Sequence, residues 1–211
     1  MIAFKGFTKD LTAVLGRGNF QFEPGMTYTE ERSKCASGGF HCAEYPFDCF
    51  DYYALNGNRF FMVEAQGSID EDETGSRIAC TELTLLEELT VQKLAYWGME
   101  YMIRHPVREW EKKRTDVCVQ KEKAELERKS GPGAVIIARG RHPAAKGPLG
   151  STLGLLSEQE EGIFKAARLF SVDGSRWKAD TWYTIDDNGM IVEAGNETKK
   201  DNGFGSRTAG A

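Results

Sequence analysis

Along the first eighty residues, apolar and polar side chains alternate with a period of two, which predicts strands. IAFKGF over 2–7 is the first. FQFEPGMTYT over 20–29 sets Phe20 and Phe22 before a Pro24-Gly25 turn and Met26 and Tyr28 after it. There the proline fixes φ and the glycine takes the positive φ of a type II turn. Gly38-Gly39-Phe40-His41-Cys42 opens another short strand. The clearest is RFFMVEAQGSI over 59–69, with Phe61, Val63 and Ala65 on one face and Phe60, Met62 and Glu64 on the other. SRIACTELTL over 76–85 follows an acidic loop, DEDET at 70–74. One short helix interrupts the strands. Pro46 suits a first helical position, where an N–H has no partner to lose. Phe47, Phe50 and Tyr53 or Ala54 then share one helical face.

After residue 83 the period lengthens. Leu86, Leu89, Leu94, Trp97 and Tyr101 form a helical stripe, with Thr84 or Thr90 as its cap and His105-Pro106 as its kink or end. VREWEKKRTDVCVQKEKAELERK over 107–129 is dense in charge, with nine Lys/Arg and six Asp/Glu between Arg104 and Lys129. It predicts a long exposed helix, helped by a Glu125–Lys129 pair at i,i+4. SGPG at 130–133 stops it. Beyond lie AVIIARG, LGSTLGLLSE, GIFKAARLFSVDG and DTWYTIDDNGMIVEAG, short strands joined by glycine-rich turns, with Asp187-Asn188-Gly189 as a hairpin turn. The expected fold is α+β: a mixed N-terminal β-sheet with a short helix over 1–83, a central helical segment over 84–130, a small β-rich C-terminal module over 134–195, and a mobile tail over 196–211.

Composition narrows the class. The chain has 211 residues, 40% of them hydrophobic, and a net charge of -5. These figures exclude a disordered or collagen-like chain, and the mild acidity argues against a dedicated nucleic-acid binder. No apolar run approaches the roughly 20 residues of a membrane span. Lys5, Lys9 and Asp10 interrupt any secretory core near the N-terminus. A cytoplasmic protein is expected. Cys35, Cys42, Cys49, Cys80 and Cys118 are odd in number and lack the close pairing of zinc ligands. They read as free thiols, and neither a metal nor a cofactor is expected.

Two groups of residues carry candidate chemistry. Phe40, His41, Tyr52 and Glu64 are similar in outline to the nicotinamide-binding half of ADP-ribosyltransferases, where an aromatic stack holds the base and a carboxylate stabilises the ribosyl cation. The aromatic-Arg-Gly of such a first strand is missing, and Lys5-Gly6 takes its place. A Cys–His nucleophile is disfavoured, because His41 and Cys42 are adjacent on a strand and point to opposite faces. LGRGNF and ASGGFH match no phosphate-loop pattern and read as turns. The second group is Arg104, Arg108, Trp110, Lys112, Lys113 and Arg114, cationic and aromatic within eleven residues. Arg and Trp are the side chains that anchor interfaces. With Val117 placed on the face of Trp110, the same predicted helix also offers an edge for a homodimer.

The segments KGF, FQFEPGMTY, CASGGFHCAEYPFDCFDYY and RFFMVEAQGSI resemble an uncharacterised domain family common in tailed phages and prophages. PAAKGPLGSTLGLLSE and RLFSVDGSRWKADTWYTIDDNGMIVE look like the C-terminal end of the same phage proteins, in which a β-solenoid repeat array separates the two ends. AVIIARGRHPAAKG looks like one remnant rung. The resemblance implies a viral setting and the host cell cytoplasm. It implies an accessory protein that binds a host protein or ribonucleoprotein, in the specific form of an inhibitor of host defence such as an anti-CRISPR protein. An ADP-ribosyltransferase-like enzyme and a virion-structural or oligomerisation module remain the alternatives.

Overall fold

A computed structural model describes residues 1–13, 20–72, 75–126 and 133–195. The strands are β1 (Ile2–Thr8), β2 (Thr12–Ala13), β3 (Phe20–Gln21), β4 (Thr27–Thr29), β5 (Phe40–Ala43), β6 (Asn58–Glu71), β7 (Arg77–Glu88), β8 (Lys112–Arg114), β9 (Val117–Ala124), β10 (Val135–Ala145), β11 (Thr152–Glu160), β12 (Ile163–Ser171), β13 (Tyr183–Ile185) and β14 (Ile191–Glu193). A 3₁₀ helix spans Pro46–Asp51, and α1 spans Val91–Arg104. Residues 15–19 of the LGRGNF turn read at 15–20, residues 130–132 of the helix stop read at 130–133, Lys129 of the Glu125–Lys129 pair and the tail at 196–211 lie outside the described residues.

β1, β5, β6 and β7 close into a small antiparallel barrel, because β7 pairs with both β5 and β6 while β1 bridges the other edges of those two strands. β4 adds to the outer end of β7. The alternation read along RFFMVEA is the one that forms. Phe61, Val63 and Ala65 face the barrel interior with Phe7, Phe22, Phe40 and Leu83. Phe60 and Met62 face outward into a second core. β6 runs on through Asp70 and Glu71, where an acidic loop was expected.

That second core is built around α1. Thr90 caps the helix by accepting from the Lys93 N–H at 3.2 Å. Leu94, Ala95, Gly98, Met99, Tyr101 and Met102 are its buried residues. They pack between the barrel's outer face with the 3₁₀ helix (Phe4, Phe47, Phe50) and the next sheet (Val119, Val135, Ile137, Leu156). Gly98 is required by close approach, since a Cβ there would lie 2.4 Å from the Phe47 ring, which is fully buried. Gly98→Ala should therefore lower stability by about 1–3 kcal/mol through overpacking, despite the roughly 1 kcal/mol that Ala normally gains over Gly in a helix. Urea denaturation checks this, and an unchanged midpoint would show that Phe47 yields at no cost.

The expected α+β fold with a central helical segment is overturned here. Among the described residues the fold is mostly β, 51% strand and 11% helical. α1 is the only α-helix among the described residues, and the stretch over 107–126 holds β8 and β9 instead. The physical reason is pairing. Val117-Cys118-Val119 lies parallel to and in register with Val135-Ile136-Ile137, which lies parallel to Thr152-Leu153-Gly154. The chain thus passes three times in one direction through adjacent strands. Parallel strands are buried on both faces and read as continuous apolar runs rather than alternating ones. Here one face meets α1 through Val117, Val119, Val135 and Ile137. The other meets the interior of the coil through Cys118, Ile136, Ala138, Leu153 and Leu155.

The coil turns a corner at Glu122, whose carboxylate accepts the N–H groups of Arg141 and His142 at 2.9 and 3.0 Å. β12 then covers β11 in antiparallel pairing, and β13 and β14 form a hairpin across the corner of β10. That hairpin turns at the predicted Asp187-Asn188-Gly189, with the Asp186 carboxylate accepting from the Asn188 and Met190 N–H groups.

Candidate functional site

Residues 105–114 cross the 3₁₀ helix as an extended strap. His105 ends α1, and the Arg108 N–H closes a turn onto its carbonyl at 3.1 Å. The strap is then tied down by charge. Arg108 pairs with Glu44 at 2.8 Å, Lys112 with Asp48 at 2.7 Å and Asp51 at 3.2 Å, and Arg114 with Asp51. Tyr45 is buried and donates its hydroxyl to the Trp110 carbonyl at 2.7 Å. Burial alone would lower the Lys112 ammonium, but the Asp48 and Asp51 carboxylates outweigh it and the group is raised. The more exposed pairs, Arg108–Glu44 and Arg114–Asp51, contribute about 0–1 kcal/mol each, so their main effect is to fix the path of the strap, while Lys112 and Asp48 are largely buried.

The predicted partner-binding residues therefore have defined places. Arg104 pairs with Glu100 on the last turn of α1. Arg108, Lys112 and Arg114 hold the strap to Glu44, Asp48 and Asp51. Lys113 lies opposite Cys118 in the β8–β9 hairpin. Trp110 is half-buried. The single helical face that was to carry them, and to place Trp110 beside Val117 for a dimer, does not form: Val117 is 1% exposed within β9.

The residues of the predicted nucleotide pocket do not converge. Phe40 is inside the barrel, in edge-to-face contact with Phe20, Phe22 and Tyr28. His41 points outward on the same strand and accepts from the Ala36 N–H at 3.0 Å. Burial first, and then the Lys5 charge, lowers its imidazole. Tyr52 is exposed and takes a hydrogen bond from Arg77 at 2.9 Å. Glu64 alternates with Val63 and Ala65, on the side of β6 away from the barrel interior. Of the cysteines, Cys42, Cys49, Cys80 and Cys118 are buried and Cys35 is half-buried. Among the described residues no cluster of three or more His, Cys, Asp or Glu side chains is placed to hold a metal ion.

What the strap does create is a cleft of about 310 Å³, lined by Glu109, Trp110, Glu111, Lys121, Arg139, Glu158 and Glu161. Its floor is a buried ion pair. Arg139 is 2% exposed and Glu158 7% exposed, and the Glu158 Oε1 accepts from Arg139 Nε at 2.8 Å and forms an ion pair with Nη2 at 2.8 Å. The same oxygen takes the Gly162 N–H at 3.1 Å. Arg139 Nη2 also donates to the Pro106 carbonyl at 2.8 Å. The rings of Trp110 and Phe164 lie against the guanidinium, their centroids 4.8 and 4.9 Å from its central carbon. Nη1 has no hydrogen-bond partner. A buried donor left in this state costs about 1–3 kcal/mol.

The cleft's size is at the lower end for ligand sites, which run from about 300 to 1,000 Å³. That is room for one side chain or a small fragment, not for a dinucleotide. Val107, which follows Pro106 in the strap, is 94% exposed, and Ile163, at the start of β12, is 54% exposed. The sequence signal for this site was a charge inside an apolar strand: Arg139 after AVIIA, and Glu158 after TLGLLS. Such a charge needs a buried partner, but which one is a tertiary matter.

Among the described residues no helix is long and apolar enough to cross a membrane. No curated protein and no solved structure matches the chain. The cleft lies wholly beyond the part of the chain for which a relative is found. Over residues 1–96, which hold the barrel, the 3₁₀ helix and the start of α1, the chain matches a domain of unknown function (DUF7666), an uncharacterised family.

Proposed function

We propose that the protein acts by binding a macromolecular partner, a host protein in the setting of a phage or prophage, and that an inhibitor of a host defence system is the specific form of this role. The observation that supports the reading is the face around the strap. It combines an open cleft with a polar floor and a half-buried tryptophan, and two exposed apolar side chains, Val107 and Ile163, follow Pro106 and Gly162 in the chain. Apolar side chains exposed beside a polar rim are what contact surfaces present. The partner is engaged by this face and not by the cations of the strap, which are committed to Glu44, Asp48 and Asp51.

Full-length tagged protein, incubated with host lysate and analysed by mass spectrometry, tests the reading when paired with a Val107→Glu/Ile163→Glu variant. Both positions are exposed, so the variant should keep its thermal midpoint. It should lose capture of the partner by about tenfold or more, as expected for a charge forced into an interface centre. Equal capture by both proteins would refute the assignment of this face.

A second reading has its own observation. The parallel passes β9, β10 and β11 form a short solenoid-like coil, which suits a virion-structural module. Cofractionation of the chain with purified particles, and not with host protein, is the result that would select it.

A further inference from the structure

We propose that residues 33–38 form a lid on the barrel, latched by His41 and anchored by Asp70, and that protonation of His41 lifts the lid and uncovers the Cys35 thiol. The lid belongs to the barrel and not to the strap face. Three observations lead to it. First, the segment is fastened across three strands. His41 on β5, Ala79 on β7 and Asp70 on β6 are paired in one row, and paired residues share a face of the sheet. Because His41 points out of the barrel, the row does too. The Ala36 N–H donates to His41 Nε2 at 3.0 Å, and the Cys35 N–H donates to Asp70 Oδ2 at 2.7 Å. Between these two fastenings the segment crosses Ala79, which is 0% exposed despite its outward place. The half-buried Cys35 thiol is held there, donating to the Asp70 carbonyl at 3.1 Å.

Second, the latch is one that a proton breaks. His41 Nε2 accepts the Ala36 N–H only from a neutral ring, because an imidazolium has donors alone. His41 is exposed, so protons reach it. Burial of part of the ring, then the Lys5 ammonium of β1, disfavour the charged form. The Gly39 and Lys34 carbonyls favour it, Arg77 of β7 opposes it, and the group lies below its ordinary 6.5. The latch is therefore present in full above pH 6.5 and is lost as pH falls through the lowered value. The anchor holds through that range, since the Cys35 N–H and the Lys34 ammonium keep the Asp70 carboxyl below its ordinary 3.8. Third, the closed lid is strained. Ala36 stands at φ 61, a left-handed conformation that a residue with a Cβ adopts at a cost. Without the latch this turn is free to relax.

The test follows the labelling of Cys35 in the full chain by a pyridyl disulfide, relative to a free Lys-Cys-Ala-Ser peptide at each pH. The other four cysteines are buried, and a Cys35→Ser variant identifies the labelled thiol. The relative rate should be flat above pH 6.5 and rise about tenfold or more as pH falls toward about 4, as for a local opening. His41→Ala, a change at an exposed position, should show the raised rate at every pH and no further rise. In ¹⁵N spectra of the original protein, the Ala36 amide should shift with the same midpoint as the His41 ring. A relative rate that ignores pH, a rise that persists unchanged in His41→Ala, or an Ala36 amide that does not follow His41 overturns the inference. Labelling confined to one thiol per chain supports a lid. Uptake of further labels over the same pH range would show that acid opens the barrel as a whole, and would overturn it as well.

Discussion

Glu158→Ala should destabilise the protein by about 3–5 kcal/mol, the range seen when one partner of a buried ion pair is removed. The Glu158 Oε1 accepts from Arg139 Nε and the Gly162 N–H and balances the charge at Arg139 Nη2, 2.8 Å away. Without it, a guanidinium that is 2% exposed keeps only the Pro106 carbonyl and two aromatic rings. The charge cannot be shed, because an arginine does not deprotonate in a protein. The cost is that of an unpaired buried charge, not the net worth of the pair. A double change, Arg139→Met with Glu158→Leu, separates the two. It removes both charges at similar volume and should recover most of the loss, since apolar replacements of buried pairs are often neutral or stabilising. Urea denaturation of the three proteins at one pH reads both effects. If Glu158→Ala is within 1 kcal/mol of the original protein, the pair is hydrated and the cleft is larger than described.

A second large effect is expected at alkaline pH. Burial pushes the Cys49 thiol up to about 12, with the Lys5 charge opposing and the Asp48 and Asp51 charges adding to it. The thiol lies in the core at 6% exposure and donates to the Phe4 carbonyl at 3.4 Å. Its folded value is above the unfolded value of 9.0. The stability tied to the protonated thiol is therefore present in full below pH 9 and is lost as pH rises toward 12. A gap of that size corresponds to about 4 kcal/mol at 1.36 kcal/mol per pKa unit. Cys49→Ala should start lower at neutral pH, by about 1 kcal/mol for the lost sulfur contacts, and should lack this decline.

Two neighbours also titrate in this range. Burial lowers the Lys5 ammonium, which makes stability rise with pH up to 10.5, and burial raises the Tyr45 hydroxyl, which makes it fall above 10. Both are present in either protein, so the difference between the two stability curves reports Cys49 together with its coupling to Lys5 and to the buried Cys42 thiol. Curves that stay parallel from pH 9 to 12 would show that the thiol is reached by solvent.

Legibility in the sequence followed the range of the interactions. The alternation of RFFMVEA, the Pro24-Gly25 turn, the Thr90 cap, the helix end at His105 and the Asp187-Asn188-Gly189 turn were all readable. Each is decided within a few residues, by pleat, by φ or by a side chain bonding its own backbone. The site followed the other rule. Trp110 was singled out for its chemistry, yet its setting was invisible, because Arg139, Phe164 and Glu158 come to it from two later strands. The charges of 104–126 suggested a solvated helix. They are instead spread over a strap, a hairpin and a solenoid corner, and the strap and the corner are held by groups distant in the chain: Asp48 and Asp51 for Lys112, and the Arg141 and His142 N–H groups for Glu122.

By itself, then, the sequence determined the local conformations and the existence of the barrel strands. It also placed two charges in apolar runs that must find partners. Only the tertiary structure decided that Val117-Cys118-Val119 is a strand and that Val135-Ile136-Ile137 runs parallel beside it. One edge of this stretch pairs with Lys112–Arg114 in a local hairpin, but the other takes its backbone partners from Val135–Ile137, and both faces are buried by distant residues. A three-residue apolar stretch among charges carries no periodicity from which that pairing can be read.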